Sequence, residues 1–141
     1  MSTEDSKNVV IGLIEEVWNK GHMDELSRYV ATDVVFHDAP IPGLPAGIEG
    51  VKHIPAFWRT VFPDMHITID DLVAEGDTVV QRFVMEGTHQ GDLMGIPPTG
   101  KHVTMGGINF FRLADGKIVE RWGIADTVSA LQQIGVLPAQ G

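Results

Sequence analysis

MHITIDDLVAEGDTVVQRFVMEG, residues 65 to 87, is the stretch that decides the fold. Two runs rich in β-branched and aromatic residues, Met65 to Glu75 and Thr78 to Gly87, flank a Glu-Gly-Asp turn, the pattern of a β-hairpin. His102 to Leu113 and Lys117 to Gly123 repeat it around Ala114-Asp115-Gly116, so the second half of the chain reads as an antiparallel meander. Toward the N-terminus the apolar period changes. Val10, Leu13, Ile14, Val17 and Trp18 recur at helical spacing between Asp5 and Lys20, with Ser2 or Thr3 as N-cap and Gly21 past the end. Met23 to Val30 predicts a second, shorter helix, Val34 to His37 a short strand, and Asp38 to Gly50, with three prolines and three glycines, a loop. Val51 to Thr60 returns to helical spacing and accommodates Pro55 only in a first turn. Beyond the meander, Asp126 predicts the N-cap of a last helix that runs through Leu131 and Ile134 and stops at Gly135.

Helices followed by a meander predict an α+β domain with the helices gathered on one face of the sheet, and the whole of residues 1–141 reads as one domain. Val79 to Met85 and Ile108 to Phe111 are apolar at odd and even positions alike, so both sheet faces want cover. Too few helices remain to cover both. A homodimer through the open face is the economical arrangement.

Composition narrows the function classes. Ten Lys and Arg against nineteen Asp and Glu give a formal charge of −9, which repels phosphate backbones and anionic membranes; nucleic acid and membrane are not expected as partners. Without cysteine there is no disulfide, thiolate nucleophile or thiolate metal site. The first residues, MSTEDSKN, are polar and acidic, unlike a signal peptide, and no apolar run reaches the roughly 20 residues that span a bilayer. These features predict a cytoplasmic protein.

Polar residues inside apolar strands mark candidate sites, because a buried polar group without a partner costs about 1–3 kcal/mol. Gln81 and Arg82 interrupt one strand, Asn109 interrupts GGINFF, and Arg121 lies between Val119 and Gly123. Alternation puts Asn109 on a face with Met105, Gly107 and Phe111, and Arg121 on a face with Val119 and Gly123. If both sets face inward, they line a cavity. The alternative for each arginine is a salt bridge at an edge or interface. Of six histidines, none sits in an HExxH or other metal-binding pattern, so no metal is expected. His22, His66 and His102 read as solvated. His37, at a strand end beside Asp38, is the first candidate for acid/base chemistry, and His53, opening a helix near Phe57 and Trp58, is a weaker one. Trp18, Phe57, Trp58, Met94 and Met105 supply apolar bulk suited to walling a flat hydrophobic molecule.

Several motifs together resemble one family. Gly87-Thr88-His89 precedes Met94-Gly95-Ile96-Pro97-Pro98-Thr99-Gly100; then come Phe110-Phe111-Arg112, Gly116-Lys117-Ile118-Val119-Glu120 with Trp122, and Leu131-Gln132-Gln133-Ile134-Gly135. Over nearly its whole length the chain is similar to the SnoaL-like polyketide cyclases and predicted ester cyclases of the NTF2-like superfamily. The resemblance implies a cone-shaped α+β barrel, a pocket between sheet and N-terminal helices with His89 among its binding residues, no cofactor, and dimers. It also implies enolate chemistry, in which a carboxylate takes a proton beside a carbonyl, a polar neighbour steadies the oxyanion, and an intramolecular aldol closure follows.

Two positions depart from that pattern. Gly123 stands where the resemblance implies the catalytic aspartate, and Asn109 where it implies an assisting histidine. Glycine cannot take a proton, so the mechanism does not transfer as it stands. Asp126 is the nearest carboxylate along the chain, though a helix N-cap accounts for it. The expected function is a cofactor-independent cyclase, isomerase or lyase acting on a small apolar carbonyl compound, with His37 or Asp126 moving a proton while Asn109 and Arg121 hold the oxygen. The alternative is a binding protein of the same fold that performs no chemistry. Epoxide hydrolysis of the limonene type needs a strand-borne Arg-x-Asp, and Arg82-Phe83-Val84 lacks the acid.

Overall fold

A computed structural model describes residues 1–39 and 41–138; Pro40, inside the expected loop, lies outside the described residues. Helix α1 (Thr3–Gly12) opens on a capping box in which Ser2 Oγ accepts from the Asp5 N–H at 3.0 Å and Asp5 Oδ2 from the Ser2 N–H at 3.1 Å. It continues as a wider π-helical segment, Leu13–Asn19, and Gly21 ends it at φ 75°. The wide turn has a tertiary anchor. Asn19 Nδ2 donates to the Ile67 carbonyl at 2.9 Å, its Oδ1 accepts from the Ile67 N–H at 2.7 Å, and Arg59 donates to the Trp18 and Asn19 carbonyls. Trp18 is thereby held over the sheet.

The predicted second helix divides into a 3-10 turn (Met23–Glu25) and the short α2 (Leu26–Tyr29), after which the chain extends at once into β1 (Val30–Phe36). Two helices, α3 (Ile48–Val51) and α4 (His53–Val61), replace the single one expected there, and Pro55 falls in the first turn of α4. Strands β2 (His66–Glu75), β3 (Thr78–Thr88), β4 (His102–Ala114) and β5 (Lys117–Ala125) form the antiparallel meander. β1 joins at the far side, parallel to β5, giving the order β1-β5-β4-β3-β2. Helix α5 (Thr127–Gln133) follows its Asp126 cap, whose Oδ1 accepts from the Ser129 N–H at 3.0 Å.

Odd residues of β3 and β4 face the helices. Val79, Gln81, Phe83 and Met85 alternate with half-buried or exposed Val80, Arg82 and Val84, and Met105, Asn109 and Phe111 alternate likewise. Two apolar clusters share this inner face. One gathers Val10, Leu13, Val17, Val79, Phe111 and Ile118; the other gathers Ile14, Trp58, Phe62, Phe83, Met85 and Met105. Each large side chain so buried contributes about 1.5–3 kcal/mol. Gln81 and Asn109 fall at the seam between the clusters, where β3 and β4 pair Gln81 with Asn109. Among the described residues no helix is long and apolar enough to cross a membrane.

Candidate functional site

The seam carries a cross-strand row. Gln81 on β3 pairs with Asn109 on β4, and Asn109 with Gly123 on β5, so three side-chain positions stand abreast on the inner face. Glycine leaves the third position open, and Arg121, two residues earlier on the same face, lies across it. Arg121 Nε and Nη2 donate to Asn109 Oδ1 at 3.1 and 2.8 Å, and Asn109 Nδ2 donates to Gln81 Oε1 at 2.9 Å. The direction of this chain is forced. A guanidinium only donates, so Asn109 must turn its oxygen to Arg121 and its amide nitrogen to Gln81, which must answer with its oxygen. What remains free at the two ends is Gln81 Nε2 and Arg121 Nη1, both buried and both without a partner among the described residues.

Above the row lies a cavity of about 450 Å³. Trp18, Ile54, Trp58, Phe83, Met85 and Met105 supply apolar wall, and Gln81, Asn109, Arg121 and Asp38 the polar part. Burial lowers the Arg121 pKa from its ordinary value to about 10, an effect that the Asp38 charge partly offsets. The guanidinium carbon sits 5.3 Å from the centre of the Phe36 ring, a cation–π contact. Asp38 follows β1 in the left-handed region at φ 58°, which Asp tolerates better than most residues. It is the one carboxylate lining the cavity among the described residues. Such a site can hold a flat apolar molecule, present hydrogen-bond donors to an oxygen on it, and set a carboxylate against it. No group of three or more His, Asp or Glu among the described residues is placed to hold a metal.

Residues 8–134 match the family model of the SnoaL-like polyketide cyclases. The chain belongs to that family. Among solved structures this cyclase-family member is similar to TsrD from Streptomyces laurentii, at 27% identity and a TM-score of 0.87 over 97% of this chain and 99% of that one. It is also similar to IdmH from Streptomyces antibioticus, for which a polyketide cyclase activity is proposed, at 38% identity and a TM-score of 0.81 over 93% and 99% of the two chains. Among curated proteins it resembles the nogalonic acid methyl ester cyclase of Streptomyces nogalater, at 25% identity across 84% of this chain and 89% of the relative. The fold is the NTF2-like α+β cone of these SnoaL-like proteins, with helices over a curved open sheet.

Within this SnoaL-like frame the expected site residues divide. Asn109, Arg121, Trp18, Trp58 and Met105 come together at the cavity. His37 does not. Its backbone N–H donates to the Arg121 carbonyl at 2.8 Å, and its ring turns to the outer face of the sheet. There it stacks on Trp122 with 4.7 Å between centroids, and Nε2 lies 2.8 Å from Glu120 Oε2. Hydrogen bonds from His37 and then from Arg112 hold the Glu120 carboxyl below the ordinary range. Asp126 is occupied as the α5 cap and exposed, outside the cavity lining, so neither group has a route to the cavity's contents. His53 is exposed at the start of α4, and Phe57 packs edge-on to Trp58 behind the wall. Met94 is exposed at 63% on the loop after β3. His89 is fully buried and staples that loop: its Nδ1 accepts from the Thr99 N–H at 3.3 Å and pairs with Thr99 Oγ1 at 3.0 Å, away from the cavity.

Two site residues carried weaker signals in the sequence. Gln81 was visible as a polar residue in an apolar strand, but its partner lies on another strand. Asp38 was visible only as an acid beside His37 at a strand end, and which of the two turns inward depends on the pairing of β1 with β5.

Proposed function

We propose that the chain is a cofactor-independent cyclase-type enzyme acting on a flat, largely apolar, polyketide-like molecule with two carbonyl groups. The observation that carries this reading is a donor-ended row, Gln81–Asn109–Arg121, set against an apolar cavity in a chain of the SnoaL-like family. Arg121 holds a substrate oxygen as charge develops on it, Gln81 offers a second donor at the other end of the row, and Asn109 keeps both in position. Asp38 takes the proton from the carbon beside that carbonyl. The enolate carbon then attacks the second carbonyl, and the resulting alkoxide recovers the proton, so the product is an isomer of the substrate. No co-reactant is needed.

The enzyme works as a homodimer in this proposal. Ile108, Phe110, Trp122 and Ile124 lie on the outer face of β4 and β5 with 37–75% of their surface exposed, and the helices are all on the other side.

The test uses the methyl esters named for the curated relatives, nogalonic and aklanonic acid methyl esters, with chromatography and mass spectrometry to detect a product of unchanged mass. Wild type is expected to convert at least one of them, and Asp38→Asn to lose more than about 99% of that rate, as removal of a proton-transfer group does. Tight binding without conversion by the wild type refutes catalysis and favours the binding-protein reading, for which the empty position at Gly123 speaks.

A further inference from the structure

We infer that the floor of the cavity is an anion site, and that the chain prefers its ligand as a free acid or ionised enol rather than as a neutral ester. The ligand class is a flat apolar ring system carrying one carboxylate, phenolate or enolate. This deepens the proposed function and rests on the same reading of the cavity as the ligand site.

Hydrogen-bond polarity is the first support. Because Arg121 can only donate, each amide in the row is oriented in turn, and both ends finish as donors: Arg121 Nη1 and Gln81 Nε2. Gln81 is fully buried, and its side chain and that of Arg121 both line the cavity. Neither end can satisfy a ligand hydroxyl that seeks an acceptor. An oxygen with lone pairs and no hydrogen suits either donor, once a ligand draws that buried group toward the cavity.

Charge is the second support. Arg121 makes no ion pair among the described residues, although three other arginines, Arg28, Arg82 and Arg112, each have carboxylate partners. Asp38 lines the same cavity without coming within ion-pair distance of it. A buried cation with a ring face, an amide and one carboxylate beyond ion-pair distance for company is only partly compensated, and an incoming anion offsets the remaining deficit where a neutral ester cannot. The depressed Arg121 pKa expresses the same deficit, with burial as its main cause.

Gly123 is the third. A Cβ there would collide with Asn109 Oδ1 and the Arg121 guanidinium as they lie, so this placement of the cation over the floor relies on the missing side chain at position 123. The chain's overall charge of −9 opposes an approaching anion, but over a Debye length of about 8 Å in physiological salt that repulsion is screened, and the preference is local.

The experiment is calorimetric titration of 2-naphthoate and methyl 2-naphthoate into wild type, Arg121→Met, Gln81→Leu and Gln81→Glu. Wild type is expected to bind the acid about tenfold more tightly than the ester or better, the scale of one charge-assisted pair. Arg121→Met should abolish that preference. Gln81→Leu should weaken the acid about fivefold, one hydrogen bond's worth, and leave the ester unchanged. Gln81→Glu keeps an oxygen facing Asn109 Nδ2, so the row survives, and its added charge should reverse the preference. Equal or tighter binding of the ester by wild type overturns the inference, as does an acid preference that persists in Gln81→Glu, or no binding of either probe up to about 1 mM, the limit of specific recognition. Acid preference without conversion of a polyketide ester removes the cyclase reading and leaves the anion site; conversion with ester preference does the opposite.

Discussion

Gly123→Ala isolates the reasoning about the row, because it adds one methyl group and no chemistry. A Cβ at 123 cannot coexist with Asn109 Oδ1 and the Arg121 guanidinium as they stand. The backbone there is held between β4 and, through Arg121, β1, so the side chains must give way. Arg121 then loses its two bonds to Asn109, at 3.1 and 2.8 Å, while remaining largely buried. Bonds to a charged group contribute about 1.5–3 kcal/mol each, partial repacking on Phe36 recovers some of this, and removing glycine from a strand returns about 0.5–1 kcal/mol; the net loss is about 2–3 kcal/mol. For a chain of this length that lowers Tm by about 6–9 °C. Arg121→Met behaves differently. It forfeits the same bonds but removes a cation whose pKa, depressed by burial to about 10, corresponds to about 3 kcal/mol of unfavourable charge burial, so stability should change little. In that background Gly123→Ala should cost under about 1 kcal/mol, a coupling that urea and thermal denaturation of the four proteins measures directly. A Gly123→Ala protein as stable as wild type, or costs that simply add in the double variant, refutes the close approach on which the row depends.

Four further outcomes follow from the placement of other groups. His37→Ala and Glu120→Gln should leave ester turnover within about twofold of wild type, since both groups lie outside the cavity. Glu120 has its folded pKa lowered from 4.5, so its network stabilises the protein above that value and the stabilisation is lost as pH falls through the lowered one; Glu120→Gln should flatten acid unfolding in that window, read by circular dichroism against pH. Asp126→Ala should cost about 1 kcal/mol of stability in urea, as loss of a helix cap does, with turnover retained. Phe110→Glu with Ile124→Glu should convert a dimer to a monomer in size-exclusion chromatography with light scattering; a wild-type monomer, or a dimer that survives both changes, defeats the proposed interface.

The elements whose contacts are local were legible. Period-2 alternation placed Asn109 with Met105 on one strand and Arg121 with Gly123 on another; the pairing of Asn109 with Gly123 is what puts the two sets on one face, and a register shift beside Leu113 breaks the parity that would have kept Val119 with Arg121. Ser2 and Asp126 were readable as caps because a cap bonds within three residues. What failed to show depended on distant partners. The π-helical winding of Leu13–Asn19 is tied to Ile67 and Arg59, neither of which leaves a mark on the local period. Met23 to Val30 had helical spacing, yet pairing of Val30 with Ile118 draws its end into a strand. His37 and Asp38 show the same limit on a finer scale. Consecutive residues at a strand end point oppositely, and the sequence favoured the histidine for its titration range, whereas pairing with β5 turns Phe36 and Asp38 toward Arg121 and sends His37 out to Glu120.

Position 123 read from sequence alone as a loss, a proton acceptor replaced by nothing. In the fold it is an exchange. A side chain at 123 and the Arg121 guanidinium as it lies compete for one volume, so the glycine and this placement of the cation go together. That exchange turns the floor from a place suited to removing protons into one suited to holding negative charge, and any proton acceptor must then stand elsewhere. Asp38 fits because it lines the cavity without coming within ion-pair distance of Arg121. Closer, the two would neutralise each other as a salt bridge, leaving neither a base for the substrate carbon nor a free cation for its oxygen. Held apart, a carboxylate and a guanidinium can act on the two ends of one C–H/C=O unit, and an Asp38→Glu variant that reaches Arg121 should therefore lose turnover despite keeping the carboxylate.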